Sequence, residues 1–202
     1  MYNILIAVGV SATVFLVVSL LMSPYAAVIP AVLVFGILLF VLTRRVGQLV
    51  QADMAKLVPL LQQRKVAQAE KLIRDVQSRY GKWQVMLTGQ LDAQLGMIHY
   101  LQMKWDKAMP LLEKGKWRNW AAMVCMACVH YRQKRQDEAW KGFEAAAAVG
   151  KKEAMVYTVW ATLLTRAGKR DEALDVLARG QKVIPDSELL KSLRSTIANK
   201  KK

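Results

Sequence analysis

The chain has 202 residues, of which 54% are hydrophobic, with 30 Lys and Arg against 15 Asp and Glu and a formal net charge of +15. Two cysteines in that length exclude a disulfide scaffold, and the cationic excess directs attention to anionic headgroups, nucleic acid or acidic proteins as partners. The charge is unevenly placed: the first 43 residues carry none, and every Lys, Arg, Asp and Glu follows Thr43.

Two apolar runs fill the uncharged region, Ile4–Met22 and Ala26–Leu42. At about 1.5 Å rise per residue each reaches roughly 25–29 Å, close to the hydrocarbon thickness of a bilayer. Ser23-Pro24-Tyr25 breaks them, and Pro24 cannot continue the first helix. Pro30 is expected in the first turns of the second helix, where a missing N–H costs least. Only helices satisfy their own backbone groups in lipid, so an antiparallel transmembrane hairpin is expected. Ala7-x3-Ser11 and Ala27-x3-Ala31 suggest the facing sides, and reflection about residue 24 brings Ala12 opposite Gly36.

Arg44 and Arg45 follow the second run at once, while no Lys or Arg precedes the first run or separates the two. The positive-inside rule then puts the C-terminal domain in the cytoplasm, and an even number of spans returns the N-terminus to that side. A cleaved signal peptide is the rival reading of the first run. It lacks a basic n-region, and a second span follows it almost directly. A bacterial inner membrane is the expected home.

The remaining 160 or so residues suffice for one domain with a real core. They show almost no strand signal, and their Ala, Leu, Met, Gln, Lys and Arg read as helices joined by short turns. The division expected is 1–45 for the two transmembrane helices and 46–88 for a connecting helix and a degenerate repeat. Three clear repeats follow in 89–187, with a capping helix and basic tail in 188–202. The stretch Met54–Tyr80 has helix–turn–helix rhythm, and its Ala69 precedes Ala108 by 39. The membrane helix is expected to run on through Gln48.

Repetition is the strongest signal. Ala108, Ala139 and Ala173 are separated by 31 and 34, and the same intervals relate Gly96, Ala127 and Ala161; Gly115, Ala146 and Gly180; and Leu112, Phe143 and Leu177. Asp106, Asp137 and Asp171 stand where a carboxylate can cap the second helix of each unit. After Pro185, Ser187–Ala198 is amphipathic, as a closing helix must be.

These columns resemble the tetratricopeptide repeat (TPR), a 34-residue helix–turn–helix unit, over about Gly89–Pro185. Together with the apolar runs, the resemblance gives an expected all-α fold: an N-terminal transmembrane helical hairpin, then a TPR-like α-solenoid of three to four helix pairs, then a C-terminal capping helix. In this family the first helix of each pair (helix A) lines a groove for partners. Its columns map to Met97, Tyr100 and Leu101; to Val124, Cys128, Tyr131 and Arg132; and to Thr158, Thr162, Thr165 and Arg166. Met97, Cys128 and Thr162 stand where some members place the Asn of a carboxylate clamp, so a chaperone-tail clamp is not implied. An extended peptide or amphipathic helix with apolar anchors and an acidic end fits the mapped surface better.

Cys125-Met-Ala-Cys128 has the spacing of a metal or redox pair, yet only His99 and His130 are available as further zinc ligands, and both occupy one repeat column. The thiols therefore read as packing groups, and no metal or cofactor is expected. No phosphate loop, dinucleotide fingerprint or zinc-protease motif occurs, so nothing supports catalysis. Trp105, Trp140 and Trp160 fall where core filling is expected; Trp83, Trp117 and Trp120 read equally as packing or as surface contacts. The functional expectation is a membrane-anchored adaptor or scaffold. Its expected partners are a protein and the lipid bilayer, with self-association through the hairpin as a further reading. The alternative is a basic, membrane-proximal module binding anionic lipid or nucleic acid. Nucleic acid is the weaker choice, because no stacking aromatics interleave a basic run.

Overall fold

A computed structural model describes residues 1–199; the basic tail Lys200-Lys201-Lys202 lies outside the described residues. Among the described residues there are eleven α-helices and no strand. The chain divides into two compact units, Met1–Leu91 and the residues from Asp92 onward.

The first unit contains α1 (Tyr2–Leu21), α2 (Pro24–Met54), α3 (Leu57–Gln62) and α4 (Val66–Tyr80), and ends in the first turn of α5 (Leu87–Leu101). Ser23 caps α2, its Oγ accepting from the Ala26 N–H at 3.3 Å, and Pro24 takes the first helical position. Here the missing proline N–H is an orphan donor anyway. Pro30 lies deeper inside α2 than the first turn, so the Ala26 carbonyl loses its helical donor.

α1 and α2 form an antiparallel hairpin sealed by small residues. Ala7, Ala27 and Ala31 are buried, and the Ser11 hydroxyl donates to the Ala31 carbonyl at 3.0 Å. That bond sets residue 11 opposite 31, a register centred near residue 21 and not at residue 24. Ala12 does not meet Gly36, where an added Cβ would find open space. Most other side chains face outward, Leu5, Leu20, Val32, Ile37 and Phe40 among them. Both helices are long and apolar enough to cross a membrane, and only 6% and 11% of their most apolar windows are buried. The core helix of a soluble protein would show the reverse.

α2 does not stop near Leu42. It continues unbroken to Met54, where Asp53 meets Arg79 of α4 at 3.1 Å and Lys56 at 3.2 Å. α3 and α4 form a short helix pair with Ala69, Ile73 and Val76 of α4 buried.

The second unit holds the rest of α5, then α6 (Trp105–Gly115), α7 (Trp120–Arg132), α8 (Gln136–Val149), α9 (Ala154–Arg166), α10 (Arg170–Val183) and α11 (Glu188–Asn199). Its helices pair as a TPR-like repeat, α5 with α6, α7 with α8 and α9 with α10. The small residues of the repeat columns mark the closest approaches. A Cβ on Gly96 of α5 would come within 2.8 Å of Leu112 of α6. One on Gly142 of α8 would lie 3.0 Å from the Ala127 Cβ of α7, and one on Gly180 of α10 would lie 2.8 Å from the Tyr157 ring of α9. Ala108, Ala139, Ala173, Leu112, Phe143 and Leu177 are fully buried. α11 closes the stack, with Leu190 and Ile197 buried against the third pair and Arg170 donating to the Ala198 carbonyl at 2.6 Å.

The turns within the pairs share one form across both units. Arg64, Met103, Lys134 and Gly168 all have positive φ (57°, 60°, 62° and 79°). At each, that residue's N–H bonds back three residues and the following N–H bonds back five, as in Met103 N–H to Tyr100 O (2.9 Å) and Lys104 N–H to His99 O (3.0 Å). This is the Schellman closure of a helix C-terminus. The spacings 39, 31 and 34 are those of Ala69, Ala108, Ala139 and Ala173, so the degenerate repeat turns in the same way as the clear ones.

Asp106, Asp137 and Asp171 cap nothing: the N-cap positions belong to Lys104, Arg135 and Lys169, with no side-chain capping bond. The aspartates sit one residue into the first turn, where their charge faces the positive end of the helix dipole favourably. The closure of the preceding helix brings a basic residue to the cap instead.

Candidate partner-binding groove

Three A helices of the second unit, α5, α7 and α9, contribute to one cavity of about 490 Å³ lined by Tyr100, Cys128, Tyr131, Arg132, Thr158, Val159, Thr162, Leu163 and Arg166. The periodicity of α9 explains its share. Thr158, Thr162 and Arg166 recur every four residues, with Val159 and Leu163 on the adjoining stripe. Thr158 and Thr162 donate their hydroxyls to the carbonyls four residues back, at 2.8 and 2.7 Å. Their donors are spent within the helix, so they offer methyl groups and oxygen lone pairs to the cavity.

The two cations differ in setting. Arg132 lies over the Trp105 ring at 5.4 Å, a cation–π contact that orders its guanidinium. Arg166 occupies the last turn of α9, where a cation complements the helix dipole. No carboxylate lines the cavity, so both charges are available to an anionic group.

Tyr100 and Cys128, both on the lining, are hydrogen-bonded to each other. Burial raises the Tyr100 hydroxyl above its ordinary range, and Cys128 adds to the effect. Burial likewise pushes Cys125 to about 12 and raises Cys128, against the lowering from the Tyr100 bond and from Arg132. A raised thiol pKa favours the protonated, less nucleophilic form at neutral pH. Among the described residues no three His, Cys, Asp or Glu side chains converge as a metal site would need. The repeat-column histidines are both packed. His99 is buried in α5, and His130 Nδ1 lies 3.0 Å from Glu138.

Four residues of the mapped columns lie off the cavity. Val124 is buried in the core of the second and third pairs, and Met97 packs against the cluster of Ala93, Ala108, Leu112 and Ala122. Leu101 is exposed, and the Thr165 hydroxyl bonds the Ala161 carbonyl at 2.8 Å. Val159 and Leu163 were absent from the columns, although their four-residue spacing beside Thr158 and Thr162 is the signal that finds them.

Behind the cavity runs a line of aromatics. The Tyr131 and Trp140 ring centres are 5.6 Å apart, those of Trp140 and Phe143 6.4 Å, and those of Phe143 and Trp160 6.0 Å with planes 9° apart. Trp160 is buried and Trp140 half-buried, so both fill the core. Trp105 is half-buried beneath Arg132, Trp120 packs against Gly150, and Trp117 is exposed beside Arg118.

No family model and no curated protein matches the sequence. Among solved structures, one described as MamA AMB-1 is similar over 95% of each chain, with a TM-score of 0.48 and 16% sequence identity. The geometry of the groove stands on its own. It combines apolar and hydroxyl-bearing walls with two cations on its lining, which suits a peptide that presents an apolar side chain together with a carboxylate.

Proposed function

We propose that the chain is a membrane-anchored scaffold that binds a protein partner through the helical-repeat groove. The observation that carries this reading is the cavity shared by three successive A helices, with Arg132 and Arg166 on its lining and no acidic residue beside them. A stack of helix pairs presents surface, and this surface is complementary to an acidic, partly apolar segment. The apolar hairpin, outward-facing along both helices, supports membrane insertion. Arg44 and Arg45 at its end support a cytoplasmic repeat domain, as in a bacterial inner membrane.

The test uses the full chain in its native membrane with a photo-crosslinking residue at Thr162. The expected result is one dominant adduct that is lost in Arg132→Glu/Arg166→Glu and weakened in Tyr131→Ala. An adduct unchanged in all variants would remove the groove from consideration.

A further inference from the structure

The backbone of the first unit ties the start of α1 to a distant turn. The Tyr2 N–H donates to the Lys82 carbonyl at 3.0 Å and the Asn3 N–H to the Trp83 carbonyl at 3.4 Å. The Met1 amine reaches the same Lys82 carbonyl at 2.6 Å. α1 has no side-chain cap, so these carbonyls satisfy N–H groups that would otherwise be orphans. The Tyr2 and Trp83 rings meet edge to face at 5.5 Å and fasten the contact.

The hairpin register then gives the level of this turn. Ser11 faces Ala31. Tyr2 lies about nine residues before Ser11, a rise of roughly 13.5 Å, and the same rise past Ala31 reaches Phe40. Lys82 and Trp83 lie beyond Tyr2, and Arg44 and Arg45 lie about 6–8 Å beyond Phe40. The turn and the arginine pair therefore share the level at which the apolar surface of the hairpin ends. Arg44, Arg45 and Lys82 are exposed, and none has a carboxylate partner among the described residues; Asp53 is engaged by Lys56 and Arg79. Tyr and Trp at this level form the aromatic belt typical of a membrane–water boundary.

We propose that Arg44, Arg45 and Lys82, framed by Tyr2 and Trp83, form an interfacial site for the phosphate headgroups of anionic lipids. The site rests on the reading of the hairpin as membrane-spanning. The 81–86 turn lies at the headgroup layer and, through α4, fixes the short α3–α4 pair against the bilayer surface. Three unpaired cations at one level draw phosphate more strongly than any one of them alone, and the effect is confined to about a Debye length from the surface.

The test is depth-dependent quenching with the full chain in vesicles of phosphatidylcholine, with or without phosphatidylglycerol. An environment-sensitive fluorophore is attached through Val85→Cys or Ile37→Cys in a Cys125→Ala/Cys128→Ala background. The expected result at position 85 is quenching by headgroup nitroxides at least about twofold stronger in the anionic vesicles. Arg44→Gln/Arg45→Gln/Lys82→Gln abolishes that difference. A position 85 that is unquenched, or quenched equally in both vesicles, overturns the site while deep quenching at position 37 leaves the spanning hairpin standing. Loss of deep quenching at position 37 as well overturns both.

Discussion

Gly96 and Leu112 occupy the closest approach within the first helix pair of the second unit. A Cβ on Gly96 would lie 2.8 Å from Leu112 Cγ and 2.9 Å from the Leu112 backbone nitrogen. A flexible side chain can yield, but a helix backbone cannot. Gly96→Ala is expected to lower stability by about 1–3 kcal/mol, the usual range for overpacking. Gly47→Ala is the control, because a Cβ there meets open space on α2. It should be neutral or raise stability by up to about 1 kcal/mol through helix propensity. Urea denaturation of the detergent-solubilised chain measures both.

The shared turns give a prediction of opposite sign. Lys134 holds a φ of 62° that a side chain adopts only at some cost. Lys134→Gly relieves that cost but loosens the unfolded chain, leaving a net gain of about 0.5–1 kcal/mol. Gly168→Ala, at φ 79°, should lose about 1 kcal/mol. Thermal melting of the two variants beside the parent is the measurement. A loss of stability in Lys134→Gly would contradict the turn geometry.

His130 gives the fold a pH dependence. Its pKa is lowered by burial and by Arg135, against the raising effect of Glu138 and Glu113. The unfolded chain therefore binds a proton at higher pH than the folded chain does. Stability from this group is full above the ordinary histidine range and falls as pH drops through about 6.5. Replacing His130 with Gln should flatten the stability profile between about pH 7 and 5. Equal slopes for parent and variant would show that the imidazole is not held neutral.

The cysteines yield a chemical test. With Cys125 pushed to about 12 and Cys128 raised, alkylation by iodoacetamide at pH 7.5 should be slower in the folded chain than in urea. The expected factor is at least about tenfold, since the thiolate is the reacting species. Mass spectrometry of the quenched reaction gives the rates.

The sequence discloses the helix pairs because close backbone approach leaves only Gly or Ala at fixed places. Gly96, Ala127 and Ala161 therefore stand out without any structure. The turns are less visible, since Arg64, Met103 and Lys134 hold a conformation that glycine would advertise. The three aspartates mislead for a related reason: a Schellman closure moves the cap onto the preceding basic residue. Hairpin register is invisible when a shift of a few residues exchanges one small residue for another, as with Ala12 and Gly36. At the groove, repeat spacing brings Cys128 to Thr162 and Arg132 to Arg166. The burial of Val124 and the exposure of Leu101 depend on packing that no single column records.

The unbroken course of α2 from the apolar stretch to Asp53 fixes an angular phase as well as a length. Each added residue between Gly47 and Leu49 would swing Asp53 about 100° around the helix axis, away from Arg79, while four added residues would nearly restore its bearing. The shaft thus works as a keyed axle, and the direction in which the α3–α4 pair faces is set by residue count inside the helix that carries Asp53 to Arg79.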